Sequence, residues 1–228
     1  DRHGQVFELR MPEAVEASHD VAVLNVQPQD RHLVLLVKNS HRKDRFLCGH
    51  DEREWFVAAV PEAVTTVVQA KEALKPKTVR FAEVRSGLRT SERARRRNAA
   101  SIRQGEWFFV PRPGMTVASA YVLCDEPVRR GNGKPHFVSE LYRTGGEVVY
   151  VCSRHPNGVA ESRYARILAS NPKAKSWGWN MMRRNPGVYA RGMVRHPDHA
   201  TITLPYWHQV LMNTENESPT MANVAFLD

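Results

Sequence analysis

Residues 192–213 read GMVRHPDHATITLPYWHQVLMN. Two runs of alternating, β-branched and aromatic residues flank a Pro-bearing turn, a pattern of extended strands rather than of a helix. Residues 187–195, 200–204 and 207–213 are the strands expected here. The same segment holds His196, Asp198, His199 and His208. It therefore raises two questions together, the strand class of the chain and a histidine-centred chemistry.

Working outward, the strand pattern recurs along the chain. Residues 5–11, 21–27, 32–39, 44–49 and 54–60 are short and β-branched or aromatic, separated by Asp, Asn, Gly, His and Pro. Their even spacing suits an antiparallel meander or a small barrel. The later half repeats it at 106–111, 116–125, 136–143 and 147–154, the last two reading as a hairpin around residues 144–146. Two segments have helical periodicity instead. Residues 61–76 place Ala63, Val67, Ala70 and Leu74 on one face, and residues 159–170 do so with Ala160, Tyr164, Ile167 and Leu168. The expectation is an α+β, β-rich protein of antiparallel strands with two main amphipathic helices and an Arg-rich connecting segment. The divisions expected are a β-rich half with a closing helix (1–76), a basic arm (77–105) and a basic α+β half (106–228).

Charge is the second organising feature. The chain of 228 residues has a net charge of +9 and a pI near 9.8. Residues 71–105 carry eleven Lys and Arg against three carboxylates, and residues 127–197 carry thirteen against three. Concentrated cations favour a polyanionic partner, because each one placed near a phosphate releases condensed counterions. The expected phosphate contacts are Arg89, Arg93, Arg95, Arg96, Arg97 and Arg103 in the arm, then Arg129, Arg130 and Lys134 in a Gly-rich loop. Further along, Lys173, Lys175, Arg183, Arg184, Arg191 and Arg195 interleave with Trp177 and Trp179. Flat rings beside cations suit stacking on unpaired bases. Nucleic acid is thus the expected partner, RNA or another single strand ahead of duplex DNA, within a larger nucleoprotein complex or alone. No cofactor is required for such binding.

Two other classes compete. His196, Asp198, His199 and His208, with His136 as a partner, offer general acid–base chemistry for a phosphodiesterase or nuclease. The run 196–199 matches the end of the H-x-H-x-D-H signature of metallo-β-lactamase-fold hydrolases, but Val194 stands where that signature needs histidine. Residues 199–202 fit one H-x-T-Φ half-motif of the 2H phosphoesterases, and a second copy is absent. Cys48, His50, Cys152 and His155 are a candidate zinc set by ligand type, without the usual knuckle spacing. The third class is a structural module that meets an acidic protein.

Three cysteines do not make a disulfide framework, and the charged start, DRHGQVFELR, has no signal-peptide core. Both point to a cytoplasmic setting. No apolar run approaches the about 18 residues that span a bilayer, so no membrane is expected.

Overall fold

The computed structural model describes residues 19–131 and 133–218. The strand expected at 5–11 lies outside them. The fold is β-rich and antiparallel, with short helices, and is built on three sheets.

The first sheet is a meander of β1 (Asp20–Gln27), β2 (His32–Lys38), β3 (Lys43–Asp51) and β4 (Glu54–Val60), in that spatial order. One face is covered by helix α1 (Val67–Ala73), whose Val67, Ala70 and Ala73 pack with Leu74, Val34, Leu47, Ala58 and Val60. This is the apolar stripe read from the sequence, but the helix starts later than Pro61. Thr66 caps it by accepting from Gln69 N–H, and the Gln69 side chain accepts from Thr66 N–H in return. This reciprocal capping box fixes the start at residue 67.

Pro76 ends α1 and opens α2 (Lys77–Arg85) within the stretch expected as a basic arm. A buried cluster holds this turn. Lys75 Nζ donates to Glu83 Oε1 at 2.9 Å, to Glu72 Oε1 at 2.5 Å and to the Arg93 carbonyl at 3.0 Å. Within the rest of the stretch expected as a basic arm, only the single turn α3 (Thr90–Arg93) is helical.

The second sheet has six strands: β5 (Ile102–Gln104), β6 (Trp107–Pro111), β7 (Leu123–Val128), β8 (His136–Thr144), β12 (Gly187–Arg195) and β13 (Ile202–Met212). Their order is β5-β6-β13-β12-β8-β7. The apolar cluster on one face draws Ile102 from one edge, Val128 from the other, and Trp107, Leu141, Val194 and Leu204 between. Among the described residues no helix contributes to it, and the sheet rolls so that residues of both edge strands meet in this one cluster. Gln104 shows the closure directly. From edge strand β5 it reaches the Val194 carbonyl at 3.3 Å and the Ala200 carbonyl at 2.7 Å. On β6 the opposite side chains, Phe108 and Val110, meet Val79 of α2 and Leu211. The run WFFV therefore lacks alternation because both its faces are buried.

Two departures from the expected strands have local causes. The two strands expected at 200–204 and 207–213 are one strand, β13, with an irregularity at Pro205. Ala190 pairs with His208 and Gly192 with Leu204, so Arg191 alone stands opposite three residues. A bulge tolerates the missing Pro N–H. The hairpin expected around 144–146 does not form. Instead β8 pairs with β12, and the chain leaves the rolled sheet at Gly145 and Gly146, both at positive φ.

Residues 147–186 thus form a lobe inserted between two strands that pair with each other. It contains the third sheet, β10-β9-β11, made of β9 (Glu147–Cys152), β10 (His155–Ala160) and β11 (Asn180–Arg184). Helix α4 (Glu161–Ser170) lies on it and has no fully buried residue. No helix among the described residues is long and apolar enough to cross a membrane.

Candidate functional sites

Rolling the second sheet brings three sequence-distant pieces to one end. His136 opens β8, His196 follows β12, and His199 precedes β13. Their rings stack: His136 to His196 at 4.2 Å, His196 to His199 at 4.6 Å and His136 to His199 at 5.7 Å between centroids. One ligand nitrogen from each lies within 4.8 Å of the others. His136 is fully buried and the other two are half-buried.

Gln104 orients the first ring. Its amide nitrogen is committed to two carbonyls, so the amide oxygen faces His136 Nδ1 at 2.9 Å. That oxygen only accepts, which puts a proton on Nδ1 and leaves Nε2 as the nitrogen nearest Glu106. His196 Nδ1 accepts from Asp198 N–H at 3.1 Å. His199 Nδ1 is buried without a hydrogen bond, and the Glu52 carboxylate stands 3.4 Å away.

Carboxylates surround the trio. Glu106 Oε2 is 3.7 Å from His136 Nε2. Burial pushes the Glu106 carboxyl up, but its contact with His136 and the charge of Arg130 bring it below its ordinary range. Burial holds the His196 and His199 imidazoles below the usual histidine range, and the neighbouring His136 pushes the same way. Asp198 pairs with Lys134 at 2.7 Å, which lowers the carboxyl and raises the amine. His199, Glu106, Asp198 and Arg130 line a cleft of about 880 Å³ that continues past the β3–β4 turn.

The trio is not the set read from the sequence. His208 sits elsewhere, fully buried on β13, where its Nδ1–H donates to the Tyr206 carbonyl at 2.7 Å. His136 takes its place. The other metal candidates are also apart. Cys48 and His50 are on β3 of the first sheet, whereas Cys152 and His155 belong to the lobe. Among the described residues these four form no ligand cluster. Burial pushes the Cys48 thiol up to about 11, which disfavours the thiolate a metal needs. His50 instead packs on Trp55, and His155 on Trp179.

The expected phosphate contacts divide in two. Arg96 pairs with Asp51 and Glu52, and Arg103 with Asp51 at 3.0 Å, tying the former arm to the β3–β4 turn. Arg130 pairs with Glu215, Arg184 with Glu147, Arg191 with Glu140 and Arg195 with Asp125. Arg93 and Arg97 donate to the Leu88 and Thr203 carbonyls. Among the described residues no carboxylate pairs with Arg89, Arg95 or Arg129, and all three are exposed or nearly so.

The lobe keeps its cations. Arg154, Arg163, Arg166, Lys173, Lys175 and Arg183 are exposed, and none forms an ion pair among the described residues. Beside them runs a ladder of half-buried rings. Tyr150 stacks on Tyr164 at 3.9 Å, Tyr164 meets Trp179 edge-on at 5.0 Å, and Trp179 lies against His155 and Trp177. Arg154 sits over Trp177 at 4.4 Å. Trp179 Nε1–H is satisfied by the Ala174 carbonyl, which fixes the Trp-Gly-Trp turn. Sequence reading found both Trp residues but not Arg154, Tyr150 or Tyr164, which come from β9, the turn after it and α4.

Comparison of the chain with models of protein families, with curated proteins and with solved structures finds no match.

Proposed function

We propose that this protein binds nucleic acid, single-stranded or RNA in preference to duplex, through the lobe of residues 147–186. The observation that carries this reading is the ring ladder, flanked by six exposed cations without carboxylate partners among the described residues. A ladder of this kind offers planar faces to bases, and each stacked base contributes about 1–3 kcal/mol. Unneutralised cations hold the phosphate backbone at no cost of breaking internal pairs. The paired arginines of residues 93–103 have a different use. They fasten the second sheet to the first and are not counted in the binding surface.

The test is fluorescence anisotropy of labelled homopolymer RNA, single-stranded DNA and duplex DNA across a salt series. Binding to the single strands is expected, weakening steeply as salt rises. Trp177→Ala, which removes the ladder's outer ring, lowers affinity about tenfold. Equal affinity of Trp177→Ala and of Arg154→Ala with the parent protein would remove the reading.

A second reading, phosphodiester hydrolysis, is favoured by one observation: His136, His196 and His199 converge beside Glu106, and His199, Glu106 and the Lys134-paired Asp198 line a cleft. Incubation of the same labelled strands with and without EDTA tests it. Binding without cleavage in either condition leaves the first reading alone.

A further inference from the structure

The trio at the end of the rolled sheet is built in a way that simple packing does not require. Three imidazoles crowd together, and no more than a fraction of their charge is tolerable at such separations. Gln104 accepts the Nδ1 proton of His136, which holds the ring with Nε2 on the side of Glu106. A hydrogen bond from the far nitrogen of a ring to a fixed oxygen is the usual outer support of a metal-bound histidine. His199 carries a buried Nδ1 with no hydrogen bond, an unmet polar atom next to a carboxylate. Gly105 completes the enclosure. It has φ +57°, and a Cβ there would sit 2.8 Å from His199 Nε2, so the turn between β5 and β6 leaves that nitrogen uncovered only because no side chain is present.

We propose that His136, His196 and His199 form a site for one divalent ion of the zinc class, open toward the cleft. Imidazole nitrogens suit zinc, cobalt and nickel, whereas magnesium and calcium prefer oxygen ligands. The nitrogens now lie within 4.8 Å of one another. A tetrahedral zinc with bonds of about 2.0–2.1 Å brings them to about 3.4 Å, a contraction of up to about 1.4 Å that requires the half-buried His196 and His199 side chains to turn toward His136. His196 gives up its contact with Asp198 N–H in doing so. Three protein ligands leave a fourth position for water or substrate. Because His199 and Glu106 line the cleft, that position is reached from it. Glu52 and Glu106 offset part of the ion's charge. The proposal stands independently of nucleic-acid binding by the lobe.

The experiment uses the full chain stripped with a chelator, dialysed, and titrated with zinc by calorimetry and with cobalt(II) by visible absorption. One equivalent is expected to bind, with a tetrahedral cobalt spectrum lacking a sulfur-to-metal charge-transfer band, and zinc should raise the melting temperature. His199→Ala and His196→Ala each weaken binding by at least about 100-fold, while circular dichroism shows the fold retained. His155→Ala, in the lobe, leaves binding unchanged. Because His136 is fully buried, it is probed by His136→Gln together with Gln104→Leu, the latter weakening binding without removing a ligand. Absence of stoichiometric zinc binding by the parent chain overturns the proposal. So does undiminished binding by folded His196→Ala and His199→Ala, or a thiolate band that moves the ion to cysteine.

Discussion

Glu83 shows how much one buried side chain can hold. It is 1 % exposed and Lys75 is 6 % exposed, and their ion pair also gathers Glu72 and the Arg93 carbonyl. Removing one partner strands the other charge out of water. Glu83→Ala is therefore expected to destabilise the fold by about 3–5 kcal/mol, measured by urea denaturation, whereas the surface pair change Arg195→Ala, on the partner of Asp125, alters stability by less than about 1 kcal/mol. His208 makes a different kind of contribution. Burial is the main cause that holds its imidazole below the usual range, partly offset by the Tyr206 carbonyl. The unfolded chain then takes up a proton first. Stability from this residue is full above about pH 6.5 and falls as pH drops below it, by at most about 1.4 kcal/mol per pH unit. In His208→Gln the loss of stability between pH 7.5 and pH 5 is expected to be smaller than in the parent, as read from melting temperatures at the two pH values. These residues were hard to assign from sequence, because a histidine's neighbours decide whether it is a core group or a ligand. His208 is a core group tied to a backbone carbonyl, whereas His136 joins the histidine trio, and nothing local to either distinguishes them.

Elements were legible where their signals are local. The strands of the first meander follow their β-branched runs, and α1 keeps the face formed by Val67, Ala70 and Leu74. Thr66 and Gln69 have the spacing of a capping box, whereas Pro61 is a competing start signal earlier in the chain. What alternation cannot show is which strand pairs with which. Residues 136–143 and 147–154 look like hairpin partners, yet each finds its neighbours elsewhere. A glycine marks the place where the rolled sheet makes its other adjustment. Gly192 has φ +84°, and a Cβ there would meet Ser139 Cβ at 2.9 Å. The Ser139 hydroxyl also bridges Met193 N–H and its carbonyl across the bulge. Gly192→Ala is expected to cost about 1–3 kcal/mol and to lower the melting temperature. An unchanged melting temperature would mean that the bulge adapts freely.

At the scale of the molecule, the charge totals pointed to two basic segments without saying which cations are available. The first is largely consumed inside the fold, as Arg96 and Arg103 on Asp51 and Glu52 show. The second contains the lobe, where six cations remain without carboxylate partners among the described residues. The lobe leaves and re-enters the rolled sheet at paired positions, Thr144 opposite Gly187. Replacing residues 145–186 by a two-residue Asn-Gly turn is therefore expected to leave a folded protein that no longer binds single strands. Cooperative melting with anisotropy at the level of free probe checks it. Retained binding by the folded deletion would move the interface to Arg89, Arg95 and Arg129.

Gln104 also has a bearing on the order in which the chain folds. It lies on β5, and the carbonyls it reaches, Val194 and Ala200, are about ninety residues further along. Closing so long a loop is entropically slow, and this contact has its partners only after β6, β13, β12 and β8 have assembled in sequence. The seam is thus a late event. The three imidazoles stack at this seam, so their ring-proton resonances in refolding are expected to take native positions with the last phase rather than with collapse.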